Sequence, residues 1–139
     1  MGVFVKVLME DNTGLYIALY AEIGHIKGDS AATKLAERTA IAAMTTKQWN
    51  TDKGIIKEGD GSPSGVDNVI AFKPILIRYL AKAYPWLQDE GVKAAILQYI
   101  HIQYWALTTR AADSSSHPVN FGRNWTGPAF DGSNVHTQM

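Results

Sequence analysis

One stretch of the sequence, residues 52–87, most constrains what this chain can fold into. It begins with a polar, glycine-rich loop that carries four spaced acidic residues, and it leads directly into a run that is apolar on nearly every side. A surface helix has one apolar stripe, whereas a helix that is apolar all round has to be buried in something larger. We therefore expect this loop to place polar groups over the end of a buried helix.

Four segments have apolar residues at helical spacing, so the sequence predicts an all-α fold. Helices are predicted at residues 14–26, 31–49, 69–83 and 89–107. The second is amphipathic, with Lys34, Glu37 and Arg38 on a side that faces water. The other three are apolar over most of their circumference, and a bundle of these four alone would expose large apolar patches. We therefore expect the chain to be part of a larger helical array, or else to cover these faces by self-association.

Polar residues mark the predicted starts of three helices. Residues 11–13 precede the first helix, Asp29 or Ser30 precedes the second, and the fourth begins near residues 89–90. Their side chains can accept hydrogen bonds from the free amides of a first turn or favour the positive end of the helix dipole. Pro74 lies inside the third pattern and removes one backbone donor, so we expect a kink or a late helix start there.

Composition excludes several classes of partner. The chain has 139 residues, enough for one domain, and its net charge is zero, which favours neither nucleic acid nor an anionic membrane as a partner. The apolar start is interrupted by Lys6 and is too short to span a membrane, and it lacks the features of a secretory signal. The chain has no cysteine and therefore no disulfide framework, and its four histidines are not spaced as metal ligands usually are. No cofactor or metal is therefore expected.

Five segments carry a resemblance to a known family. In order and spacing, DNTGLYIALYAEI, LAERTAIAAMTT, WNTDKGIIKEGD, FKPILIRYLAKAYPWL and WTGPAF resemble the second half of glycoside hydrolase family 76, which contains α-1,6-mannanases. The resemblance covers residues 12–139, and residues 1–11 form a separate N-terminal segment outside it. It implies part of an (α/α)6 barrel, a ring of helical hairpins. It also implies a secreted or cell-wall location and α-mannan or another cell-wall polysaccharide as the partner.

The catalytic residues that the resemblance implies are absent from this chain. Retaining glycosidases need two carboxyl groups about 5 Å apart, and in family 76 these belong to an adjacent Asp-Asp pair upstream of the matching part. The adjacent acidic pairs in this sequence are Glu10-Asp11 and Asp89-Glu90, and both fall at helix starts, where capping accounts for them. We expect no hydrolysis of α-1,6-mannan by this chain alone. The alternative is a self-associating carbohydrate-binding or scaffold module without catalysis.

Three residues are candidates for sugar contact through the resemblance. Asn12 matches the asparagine of a Tyr-Asn-Gln-Gly-like turn at the head of an inner helix. Asp67 and Asn68 match the turn before the family's Phe-Lys helix, at the end of the inner helices that faces the cleft. Carboxylates and amides there would form hydrogen bonds with sugar hydroxyls. Asp67 could equally cap the third helix, and one residue could do both.

Trp125 is the fourth candidate for substrate binding. The chain from Ala111 onward is predicted to be a loop, and Trp125 lies in its turn-rich part. The indole could stack on a sugar or could fill a gap between helices. Two further residues, Lys73 and Arg78, are charges within the helix predicted to be buried, where an internal salt bridge competes with a ligand contact.

Overall fold

The computed structural model describes residues 10–57, 72–113, 115, 118–121 and 124–126. These residues form four α-helices and one short hairpin, which confirms the all-α prediction in outline. Strands β1 and β2 pair antiparallel, with Ala112 opposite Phe121. The elements in chain order are α1 (Glu10–Lys27), α2 (Ser30–Thr45), α3 (Phe72–Ala83), a 3₁₀ turn (Tyr84–Trp86), α4 (Glu90–Thr109), β1 (Ala112–Asp113) and β2 (Asn120–Phe121).

Two of the predicted helix starts are confirmed. Asp29 caps α2, because its Oδ1 atom accepts hydrogen bonds from the amides of Ala31 and Ala32. Asp89 caps α4 by accepting a hydrogen bond from the amide of Val92. The start of α1 was predicted wrongly. The helix begins at Glu10, so residues 11–13 lie inside its first turn rather than ahead of it.

The predicted end of α2 was also wrong, and side-chain hydrogen bonds explain the earlier stop. The helix ends at Thr45 rather than at residue 49. The indole of Trp49 donates to the carbonyl of Ala43, and the amide of Asn50 donates to the carbonyls of Ala43 and Thr46. These bonds satisfy carbonyls that the last turn leaves free. Beyond α4, the hairpin of β1 and β2 replaces part of the predicted loop, because strands of two residues are too short to leave a sequence pattern.

The described helices form two layers. Helix α1 packs along both α2 and α3, and α2 packs against α4. Gly14 approaches Leu76 closely, since a Cβ atom at Gly14 would lie 3.1 Å from the Cα atom of Leu76. Eleven residues farther along α1, the ring of His25 stacks on that of Trp86 with a centroid distance of 3.8 Å. From Gly14 to His25 along α1, the contacted residue moves from Leu76 to Trp86, which is also toward the C-terminus. Helices α1 and α3 are therefore parallel. We call this pair the α1–α3 layer.

The second pair of helices is parallel as well. Glu37, in the middle of α2, contacts the backbone just before α4. Asn50, which follows the end of α2, accepts a hydrogen bond from Tyr99 in the middle of α4. We call this pair the α2–α4 layer. A two-residue connection joins α1 to α2, so the two layers run in opposite directions.

A continuous core lies between the two layers, but apolar side chains also remain outside it. In α1 the buried side carries Ile17 and Ala21, both fully buried. Helix α3 is more amphipathic than predicted, because Arg78 and Lys82 are exposed opposite the buried Leu76 and Leu80. Among the described residues, the exposed large apolar side chains are Leu15, Leu19, Ile26, Ile41, Leu97, Tyr104, Trp105 and Val119.

Candidate functional site

The candidate site lies at the N-terminal end of the α1–α3 layer. Because α1 and α3 are parallel, both helices begin at the same end of this layer. Asn12 is exposed there, in the first turn of α1. Asp67 and Asn68 precede α3 in the sequence and lie outside the described residues, as do residues 69–71 of the predicted third helix.

Trp125 lies beside the first turn of α3 and inside the protein. Its side chain is only 4% exposed, and the ammonium group of Lys73 lies 5.4 Å from the centroid of its ring. This burial fits the interpretation that Trp125 fills a gap between elements, rather than presenting a ring face to a sugar. Lys73 is itself buried, as predicted from its place in an apolar helix, whereas Arg78 is exposed, contrary to that prediction.

Two buried polar atoms at this end have no hydrogen-bond partner among the described residues. They are the hydroxyl oxygen of Thr13, in the first turn of α1, and the indole nitrogen of Trp125. Buried polar groups are paired in the great majority of cases. The N-terminal end of the α1–α3 layer therefore has unused hydrogen-bonding capacity.

The segment that leads toward this end is fixed by a buried polar network that sequence reasoning missed. Gln103 of α4 accepts a hydrogen bond from the amide of Ile56 (2.9 Å) and donates one to the carbonyl of Gly54 (2.6 Å). The hydroxyl of Tyr99 donates to Asn50 at 2.6 Å. Gln103 lies between Ile102 and Tyr104 in an otherwise apolar run, and a polar residue at such a position was the available signal.

Glu37 was predicted to face water, and this prediction was wrong. The residue is only 9% exposed, and one carboxylate oxygen accepts hydrogen bonds from the amides of Gln88 (2.7 Å) and Asp89 (2.8 Å). These amides belong to the turn between α3 and α4, more than fifty residues away in sequence. Glu37 therefore fixes the corner where α4 begins against α2.

Two carboxyl groups in the described residues have a lowered pKa. A hydrogen bond and charge attraction from Lys47 lower the pKa of Asp52. Hydrogen bonds from the hydroxyl and amide of Ser115 lower the pKa of Asp113. Both shifts favour the ionised form, which is the opposite of what a general acid needs. Neither group has the properties of a catalytic proton donor.

The described part of the chain also shows neither a metal-binding cluster nor a membrane-spanning helix. No three histidine, aspartate or glutamate side chains converge there in a way that could hold a metal ion. None of its helices combines the length and apolar character that crossing a bilayer requires.

The chain matches no protein-family model, no curated protein and no solved structure.

Proposed function

We propose that this chain contributes a non-catalytic wall to an α-mannan-binding ring of helical hairpins of the family 76 type. The observation that supports this most strongly is the pairing of parallel helices within each layer. When two consecutive hairpins stand side by side, their first helices pack together in one layer and their second helices in the other. In an up-down bundle, by contrast, neighbouring helices alternate in direction. The described helices have the first arrangement.

The exposed side of α1 is consistent with further helices in such a ring. Leu15, Leu19 and Ile26 share one side, opposite the buried Ile17, and are 50%, 49% and 72% exposed. Spacings of four and seven residues place side chains on one helical stripe, which suits packing against another helix. Further helices of the α1–α3 layer would cover this stripe.

In this proposal the sugar binds at the N-terminal end of the α1–α3 layer. Asn12, Asp67 and Asn68 supply amide and carboxylate groups for the sugar hydroxyls. Trp125 supports the end from within, against Lys73. The hydroxyl of Thr13 and the indole nitrogen of Trp125 are buried beneath this end and have no hydrogen-bond partner among the described residues. Hydrolysis would need an Asp-Asp pair from outside this chain, since this sequence contains none.

Binding of α-1,6-linked mannooligosaccharides tests the proposal directly. We expect the chain to bind them in isothermal titration calorimetry without releasing reducing sugar, and to bind β-1,4-linked glucose oligomers much more weakly. Asn12→Ala should weaken mannooligosaccharide binding by about fivefold, the effect of losing one hydrogen bond. Asn12 is exposed in a first helical turn, so the variant should keep its melting temperature.

Two results would count against this proposal. One is equal affinity for the mannose and glucose oligomers, because it would show that the site does not recognise the sugar. The other is hydrolysis of α-1,6-mannan by the purified chain, because the catalytic pair would then not be required. Arg78→Ala serves as a matched control for Asn12→Ala, since Arg78 is an exposed residue within α3, away from the first turns of the two helices. It should leave binding unchanged.

The exposed stripe of α1 also favours a second function, a self-associating carbohydrate-binding or scaffold module. If this is correct, light scattering should give a defined dimer rather than polydisperse aggregates. The double variant Leu15→Gln with Leu19→Gln should return the chain to a monomer, because it places polar groups at two of the three residues of the stripe. Leu97→Gln, at an equally exposed leucine of α4, is the control and should leave the dimer intact. A wild-type monomer at all concentrations would eliminate this second function.

A further inference from the structure

A separate concavity lies in the α2–α4 layer. It is open to the surface, has a volume of about 540 Å³ and lies beside the corner fixed by Glu37. Binding sites for small molecules usually measure about 300–1,000 Å³ and combine apolar lining with a few convergent polar groups. We call this concavity the α2–α4 pocket, and its lining residues are Lys34, Glu37, Arg38, Ile41, Asp89 and Val92.

The polar groups of the α2–α4 pocket include donors and acceptors. Lys34 and Arg38 are exposed one turn apart on α2, and neither forms an ion pair with a described residue. Glu37 and Asp89 supply carboxylates. Every hydrogen bond that Glu37 accepts from the described residues goes to Oε1, which leaves its other oxygen for a ligand. The apolar part of the lining comes from Ile41 and Val92.

The balance of charge indicates what kind of ligand would fit. Two cations near the start of α4 suggest an anion site, because a helix N-terminus attracts negative charge. Here, however, Glu37 already accepts the amides of Gln88 and Asp89, and Asp89 accepts that of Val92. The positive charges of Lys34 and Arg38 balance the negative charges of the two carboxylates. These carboxylates also repel phosphate and carboxylate ligands. A metal cation is disfavoured in the same way by Lys34 and Arg38.

We propose that the α2–α4 pocket binds a neutral, hydroxyl-rich ligand, namely one hexose unit of a polysaccharide. A sugar offers both donors and acceptors on a small frame with apolar faces. It therefore matches the paired charges and the apolar part of the lining. The pocket is formed by the opposite layer from Asn12, so it is a site separate from the one proposed above. The choice of mannose as the hexose rests on the function proposed above.

Titration of ¹⁵N-labelled protein with α-1,6-mannobiose, followed by NMR, tests this inference. We expect saturable shifts of the backbone amides of Ile41 and Val92. In the double variant Lys34→Gln with Arg38→Gln, affinity at these amides should fall at least about tenfold, because charged hydrogen bonds are lost. The control is Lys93→Gln, which removes a cation that pairs with Glu90 outside the pocket lining. It should leave the affinity unchanged.

The same spectra separate this inference from the function proposed above. Shifts at Ile41 and Val92, with none at Asn12 or Thr13, would support the pocket and contradict binding at the α1–α3 end. Shifts only at Asn12 and Thr13 would overturn the pocket and leave the proposed function standing. Mannobiose shifts that are absent everywhere would overturn both. Tighter binding of inorganic phosphate than of mannobiose at Ile41 and Val92 would also overturn the pocket as a neutral-ligand site.

Discussion

Replacing Glu37 by alanine is expected to lower the free energy of unfolding by about 3 kcal/mol. The carboxylate accepts two backbone amides, and Glu37 itself is only 9% exposed. Losing a charged acceptor leaves two donors to be solvated and loosens the corner that joins α2 to α4. Urea denaturation followed by circular dichroism would measure the change.

Two further variants show whether the hydrogen bonds or the packing cause this loss. Glu37→Gln keeps a carbonyl acceptor but removes the charge, so it should cost about half as much. Glu90→Ala removes a carboxylate at the start of α4 whose only described contact is an exposed ion pair with Lys93. That variant should change stability by less than about 0.5 kcal/mol. Equal losses for Glu37→Ala and Glu90→Ala would contradict the role given to Glu37.

The features that sequence predicted well are local ones. Asp29 and Asp89 cap α2 and α4 by accepting hydrogen bonds from backbone amides two or three residues later in the chain. A short stretch of sequence is therefore enough to predict these caps. The burial of Lys73 could also be inferred, because apolar residues surround it in the sequence. Helix ends were predicted less well. The stop of α2 depends on the side chains of Trp49 and Asn50 folding back onto its last carbonyls.

The features that sequence missed depend on distant partners. Glu37 lies between Lys34 and Arg38 in α2, and this pattern predicts a surface residue. It is buried because the turn before α4 returns to cover it. Asn50 and Gln103 likewise find their partners 47–49 residues away. Periodicity within one helix cannot report on such contacts, because they exist only after two layers have packed. Part of the candidate site also depends on a contact between residues distant in sequence, because Trp125 packs against Lys73.

Replacing Gln103 by leucine is expected to destabilise the chain by about 3 kcal/mol, because the amide of Ile56 and the carbonyl of Gly54 both lose buried partners. Hydrogen exchange at the Ile56 amide should accelerate with it, since this bond holds residues 54–56 on α4. Gln98→Leu, at an exposed position of the same helix, is the matched control and should stay within about 0.5 kcal/mol of wild type.

A charged variant at the same position gives a test with a defined pH dependence. In Gln103→Glu, the ionised carboxylate can accept from Ile56 but faces the carbonyl of Gly54, whereas the protonated form can donate to that carbonyl. Burial and this carbonyl should therefore raise the pKa of the new carboxyl in the folded state above its unfolded value of about 4.3. A raised carboxyl pKa means that the folded state holds its proton more tightly than the unfolded state. The variant should therefore lose stability, relative to wild type, as pH rises above about 4.3. The same pH dependence in both proteins would show that Gln103 contributes by packing rather than by its two hydrogen bonds.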